Sequence, residues 1–209
     1  MHPKDQGLAT KSASAGMPVE KDFGLRILRD GTWTYQGSPI RRLALVRLFA
    51  SVLQRKADGS HWLETPVERG PIEVEDVAFV AAGIEVSGDG DEQVIRLQTN
   101  LEDWVTVGPE HQLRCRRPPW QEPDEDVLVP YVMVRDGLEA RVERAVYYDL
   151  IEVGTIGPAD QAAGFGVWSQ GAFFPLDREI EGQGLDREVA GQGGDREVAG
   201  KRDDEAGNG

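Results

Sequence analysis

The chain has 209 residues, with 23 Lys plus Arg against 37 Asp plus Glu and a formal net charge of −14. Its single Cys excludes an internal disulfide framework and a Cys-rich zinc module. The acidic balance argues against broad, sequence-independent DNA binding, which needs a basic footprint.

Residues 1–22 are small and polar, with three Lys balancing three acids, and read as a flexible leader. No run there has signal-peptide length, and none elsewhere approaches a membrane span. A soluble cytoplasmic protein is expected, and an unpaired Cys115 fits a reducing compartment.

The next segment alternates in Leu25-Arg26-Ile27, turns at Asp30-Gly31 and returns through Trp33-Thr34-Tyr35, a hairpin signal. Ser38-Pro39 suits an N-cap followed by the first helical position, so a helix is predicted over 38–55. Its apolar face is broad, with Arg47 on the narrow polar side. Arg41 and Arg42 fall at its N-terminus, against the macrodipole; either an anion sits there or the pair is simply solvated.

Strands are predicted over 61–65, ended by Pro66, and over 77–86, 93–99, 104–107 and 111–116, as an antiparallel meander. A Pro-rich acidic excursion (117–126) precedes a strand over 127–135, with Pro130 near its start. A second helix is predicted over 137–153, with Asp149 on its apolar stripe. A final hairpin is predicted over 164–176, turning at Gln170-Gly171.

Residues 177–209 hold ten acids, five bases and eight Gly, in three copies of a nine-residue repeat beginning LDREIEGQG. Each copy offers too few apolar residues to offset chain entropy, so a disordered tail is predicted. A calcium-binding nonapeptide roll fits less well, because Glu188 occupies the slot that needs an apolar side chain. Between leader and tail the charge is −9, and the bases are fourteen Arg and one Lys. Arg binds carboxylates and phosphates with a planar fork that Lys lacks.

The motifs of known chemistry are missing. There is no phosphate-binding G-x-x-x-x-G-K-[ST] loop, no dinucleotide-binding glycine pattern, no H-E-x-x-H and no nucleophile elbow. No cofactor or metal is expected. His61 and His111 are the two core histidines, each either a general base or structural. Cys115 reads as a small buried hydrophobe. Arg114 and Arg116 share a strand face; they line an anion pocket or pair with acids across the sheet.

Several separated stretches carry a resemblance. They are GTWTYQGSPIRRLALVRLFASVLQRKADGSHWLETPVERGPIEVEDVAFVA, LQTNLEDWVTVGPEHQLR, PYVMVRDGLEARVERAVYYDLIEVG and GVWSQGAFFPL. In this order they resemble the bacterial family known as domain of unknown function 1285, over about residues 25–176. The resemblance implies an α+β fold of two similar subdomains, the second pleckstrin-homology-like. It also implies a small, possibly nucleotide-based ligand held between the halves, a role in signal transduction, and no established enzymatic activity.

The expected architecture is therefore two α+β subdomains, each an antiparallel sheet with one long amphipathic helix. Its divisions are a leader (1–22), an N-terminal subdomain (23–75), a C-terminal subdomain (76–176) and the tail (177–209). The expected ligand is a small anion in the cleft between subdomains. Candidate contacts are Arg47, Thr65, Glu68, Asn100, Arg114, Arg135 and Tyr148. The other readings are a protein-interaction module, partner unknown, or an enzyme using His61 or His111.

Overall fold

The computed structural model describes residues 18–122, 124–125, 127–157 and 164–179. All of the nonapeptide repeats beyond Glu179, and most of the leader, lie outside these residues. The described chain is a mixed α+β protein with two large sheets, a smaller third sheet and two helices. No helix among the described residues is long and apolar enough to cross a membrane.

The first sheet begins with β1 (Val19–Glu20), inside the stretch read as leader. It continues with β2 (Leu25–Ile27), β3 (Trp33–Tyr35) and β4 (Ser38–Pro39). Helix α1 (Leu43–Ser51) follows, then β5 (Leu53–Arg55), β6 (His61–Glu64) and β7 (Glu68–Val74). The sheet order is β4-β3-β2-β7-β6-β5, with β1 also on β7.

The helix predicted over 38–55 is thus cut at both ends. Gln36 and Gly37 both have positive φ (47° and 81°), which closes a two-residue hairpin and sends Ser38-Pro39 back as an edge strand. Pro39 lacks a ladder donor and is tolerated on that edge. Arg42 takes the N-cap position, with no side-chain cap. The apolar face is also narrower than predicted. Val46 and Ala50 are buried, but Leu48 is 60% exposed. Phe49 stacks on Trp33 at 6.2 Å and fastens α1 to its sheet.

Strand β7 was not predicted, because Gly70-Pro71 sits in its middle. The structure gives both residues a task. Lys21 N donates to Arg69 O at 2.8 Å, so the parallel ladder would next need a donor at residue 71, which Pro71 lacks. A Cβ on Gly70 would lie 1.8 Å from Lys21 O. Here β1 ends, and β2 resumes the parallel pairing at Arg26–Glu73.

The second sheet holds β8 (Phe79–Ser87), β9 (Val94–Thr99), β10 (Trp104–Thr106), β11 (Leu113–Arg116), β12 (Val129–Arg135) and β13 (Leu138–Val142). A 3-10 turn at Gly90–Glu92 joins β8 to β9. The order is β10-β9-β8-β13-β12-β11. Helix α2 is Arg144–Glu152, so the helix predicted over 137–153 is instead a strand followed by a short helix. Asp136 and Gly137 have φ of 43° and 77°, another two-residue hairpin, which converts 138–142 into β13. Val146 and Leu150 form the buried stripe of α2, and Asp149 is exposed.

Both sheets were expected to be antiparallel, and both are mixed. Each has a parallel pair at its centre, β2 with β7 and β8 with β13, and in the first sheet β1 also pairs in parallel with β7. The third sheet, β14 (Thr155–Ile156), β15 (Phe165–Ser169) and β16 (Ala172–Pro175), contains the predicted final hairpin. Buried Ser169 fastens it to the second sheet, accepting from Ile95 N and donating to Val107 O. One continuous apolar cluster runs from Leu25 and Trp33 through Ile95 and Leu97 to Phe174.

Candidate functional site

The two halves meet along cross-ties that involve three of the predicted site residues. Arg47 on α1 donates from Nε to Leu101 O at 2.7 Å and pairs with Glu102. Asn100 donates to Gly31 O and accepts from Val80 N, at 3.2 and 3.1 Å. Gly31 has φ of 81° and lies against the Asn100 amide, so a side chain there is excluded twice over. Arg135 donates to Ala50 O at 2.6 Å, placing a cation on the last turn of α1, where the dipole favours it. All three bind backbone across the junction.

The other four lie apart from these ties. Thr65 and Glu68 form the turn between β6 and β7, and the Thr65 hydroxyl both donates to Glu68 O and accepts from Glu68 N. The backbone groups expected to be free near Pro66 are therefore used locally. Arg114 pairs in register with Tyr131, and no ion-pair or hydrogen-bond partner of its side chain is found among the described residues. Tyr148 is half exposed on α2 and accepts from Arg144 Nε at 3.0 Å. Arg41 and Arg42 are exposed ahead of α1.

A cleft of about 270 Å³ does open between the halves, but with a different lining. The first half contributes Arg55, Gly59, His61, Val74 and Glu75, and the second contributes Arg116, Pro119, Gly137 and Glu139. Asp76, Val77 and Ala78, which join the two sheets, form its floor.

Hydrogen-bond and ion-pair partners account for most of these charges. Asp76 is 1% exposed and accepts the Tyr131 hydroxyl on both oxygens, at 3.1 and 3.2 Å. Arg141 Nε lies 3.1 Å from it. Burial, then the Asp76 carboxylate, push the Tyr131 phenol well above its usual range, so it stays a donor. Arg116 lies 3.6 Å over the Tyr131 ring and pairs with Glu139 at 3.2 Å. Glu75 pairs with Arg26 and accepts from Arg29 N. Arg55 alone among the lining cations has no ion-pair or hydrogen-bond partner among the described residues.

Arg55 stands directly across from His61 in the β5–β6 ladder. Burial, then the Arg55 charge, lower the His61 pKa, so its ring is neutral at pH 7. Among the described residues no carboxylate hydrogen-bonds that ring. The other histidine, His111, donates from Nδ1 to Met133 O at 3.0 Å. Cys115 is fully buried, and burial, then Asp177, push its thiol up to about 12, so it behaves as the expected hydrophobe. Among the described residues no group of three His, Cys, Asp or Glu is placed to hold a metal ion.

Arg55 was missed because it was read as the last turn of a helix. Its signal was present in the following residues: Asp58-Gly59 marks a hairpin that must bring Arg55 opposite His61.

Family models cover the whole of this frame. The N-terminal domain of unknown function DUF1285 matches residues 17–77, and the C-terminal domain of DUF1285 proteins of unknown function matches residues 78–176. The chain belongs to the DUF1285 family. A solved DUF1285 structure from Silicibacter pomeroyi DSS-3 is 41% identical, with a TM-score of 0.67, over 80% of this chain and 90% of that one. A DUF1285 protein from Shewanella baltica OS155 is 23% identical, with a TM-score of 0.46, over 62% of this chain and 91% of that one. No curated protein matches the chain.

Proposed function

We propose that this DUF1285 protein is a non-enzymatic, cytoplasmic binding module that takes a small anionic, nucleotide-like ligand in the cleft between its halves. The observation that carries the reading is Arg55 on the first half, without an ion-pair partner among the described residues and facing a cleft whose opposite wall holds Arg116. A phosphate bridging the two would receive charge-assisted bonds from both halves. Neutral His61 would add a hydrogen bond and would gain a proton more easily once the anion is seated. The cavity suits a metabolite of modest size. In this reading the second half is the pleckstrin-homology-like scaffold, and ligand-dependent closure of the halves is the output used in signalling.

The test is a thermal-shift and calorimetric screen of the full chain with nucleoside mono-, di- and triphosphates and with inorganic phosphate. At about one hundred times Kd a ligand should contribute about 2.7 kcal/mol. Arg55→Ala should abolish the shift without lowering the unliganded Tm, because the side chain holds nothing else. Binding should strengthen as pH falls toward 6. If no nucleotide or phosphate stabilises the protein at millimolar concentration, the reading fails.

A further inference from the structure

A second cavity, of about 500 Å³, lies wholly on the second half and is larger and more apolar than the cleft. Its floor runs from Val127 to Pro130, and its walls are Trp120, Val142, Tyr147 and Tyr148. Val127 is 59% exposed and Tyr148 51%, so apolar and aromatic surface stands open. Two cations line it, Arg141 and Arg144, and among the described residues no carboxylate does. Asp76 already answers Arg141. Arg144 rests on the Tyr148 ring at 5.6 Å, with no ion-pair partner among the described residues. The groove thus asks for apolar side chains accompanied by negative charge.

The course of the chain supplies such a segment at this spot. After β16 the backbone reaches Glu179, which pairs in parallel with Cys115 on β11, the edge strand of the second sheet. Cys115 pairs with Pro130, and Pro130 belongs to the groove floor. Across the sheet the sequence of neighbours is therefore Glu179, Cys115, Pro130. The next residue of β11, Arg116, pairs with Val129, also in the floor. Tyr147 confirms the proximity, since after burial the nearby Cys115 and Asp177 raise its phenol pKa. Residues 180–193 read IEGQGLDREVAGQG, with Ile180, Leu185 and Val189 as apolar positions and Glu181, Asp186 and Glu188 as acids.

We propose that residues 180–193 of the same chain continue past the end of β11 and dock in the groove floored by residues 127–130, with their apolar side chains against Tyr147 and Tyr148 and an acid on Arg144. Tethering at Glu179, beside the edge strand, gives an effective concentration on the order of millimolar, so weak contacts suffice.

Hydrogen–deuterium exchange on the full-length protein tests this. Peptides covering 180–193 should exchange about tenfold more slowly than those covering 200–209. Arg144→Glu and, separately, Val127→Asp should remove that difference while α2 and β12 keep their protection; both side chains are exposed, and far-ultraviolet circular dichroism checks the fold. Free exchange of 180–193 in the native protein overturns the proposal. So does protection that both variants leave intact. Protection that rises with protein concentration assigns the groove to the tail of a second copy and overturns docking within one chain. Slow exchange at 127–130 while 180–193 exchanges freely assigns it to some other occupant and overturns it as well.

Discussion

The two halves are built to one strand plan and differ in where the helix is inserted. Each half runs a three-stranded meander, then a second one, and joins the first strand to the last in parallel. In the first half α1 stands between the meanders; in the second half α2 follows them. The consequence is mechanical. Placed mid-chain, α1 is carried to the junction, where Arg135 caps its last turn and Arg47 reaches the 101–102 loop. Placed at the end, α2 stays clear of the junction and borders the groove. One plan therefore yields one helix that joins the halves and one that leaves an open surface.

The sharpest way to break this comparison is at the residue between the sheets. Asp76→Ala leaves the buried Tyr131 hydroxyl without its acceptor and the half-buried Arg141 without its carboxylate, and should cost about 3–5 kcal/mol, read from urea denaturation. A loss below about 1 kcal/mol would show that the halves do not depend on this joint.

The next test asks whether the halves are thermodynamically separate. Ile27→Ala in the first sheet and Leu97→Ala in the second each remove a fully buried side chain and should each cost about 2–5 kcal/mol. Because one apolar cluster spans both, each variant should shift a single transition seen alike by fluorescence and circular dichroism. Two transitions, only one of them moved by Ile27→Ala, would sink the idea of a shared core.

Smaller effects are expected at the cross-ties. Asn100→Ala strands Val80 N and Gly31 O and should cost about 1–3 kcal/mol. Arg135→Met removes both the helix cap and the guanidinium over the Phe79 ring, and should cost about 1 kcal/mol.

The smallest expected effect depends on pH. The folded-state pKa of His61 lies below its ordinary 6.5, so the unfolded chain binds the proton more readily. Its contribution is therefore present above about 6.5 and is lost as pH falls through the lower folded value. His61→Gln should flatten that part of the stability profile below pH 6.5, and a wild-type-like slope in the variant would assign it to other groups.

Much of this fold was legible where local chemistry is self-sufficient. The β2–β3 hairpin, the strands around β8–β11 and the β15–β16 hairpin follow from alternation and from Asp-Gly or Gln-Gly turns. The errors have a common form. At Gln36-Gly37 and at Asp136-Gly137 a two-residue hairpin competed with a helix start, and the helix was preferred. Apolar residues at 138–142 satisfy either period over so short a span. Only pairing with β12 and β8 decides for the strand. Strand β7 was hidden for a different reason. Gly70-Pro71 reads as a breaker, and its place in the ladder exists only because β1 stops there.

The candidate site was less legible than the fold. Arg47 was chosen for the polar face of its helix, Asn100 as a strand end and Arg135 for its phosphate-binding fork. Each binds a main-chain oxygen of the other half, and no local pattern announces those partners. Arg55 and Arg116 meet across the cleft although sixty-one positions separate them in the chain.

By itself the sequence determined the class of this protein: an acidic, cysteine-poor α+β chain of the DUF1285 family, free of the recognised catalytic motifs. Those properties are sums or short-range patterns, so they survive without knowledge of contacts. Tertiary structure decided which cations are spent and which are free. Guanidinium groups alike in sequence become a helix cap, a ring-stacked wall, a buried counterion or an unpaired charge in a cleft. The difference lies in which carboxylates and carbonyls the fold brings within hydrogen-bonding distance, and that is set by packing between residues far apart in the chain.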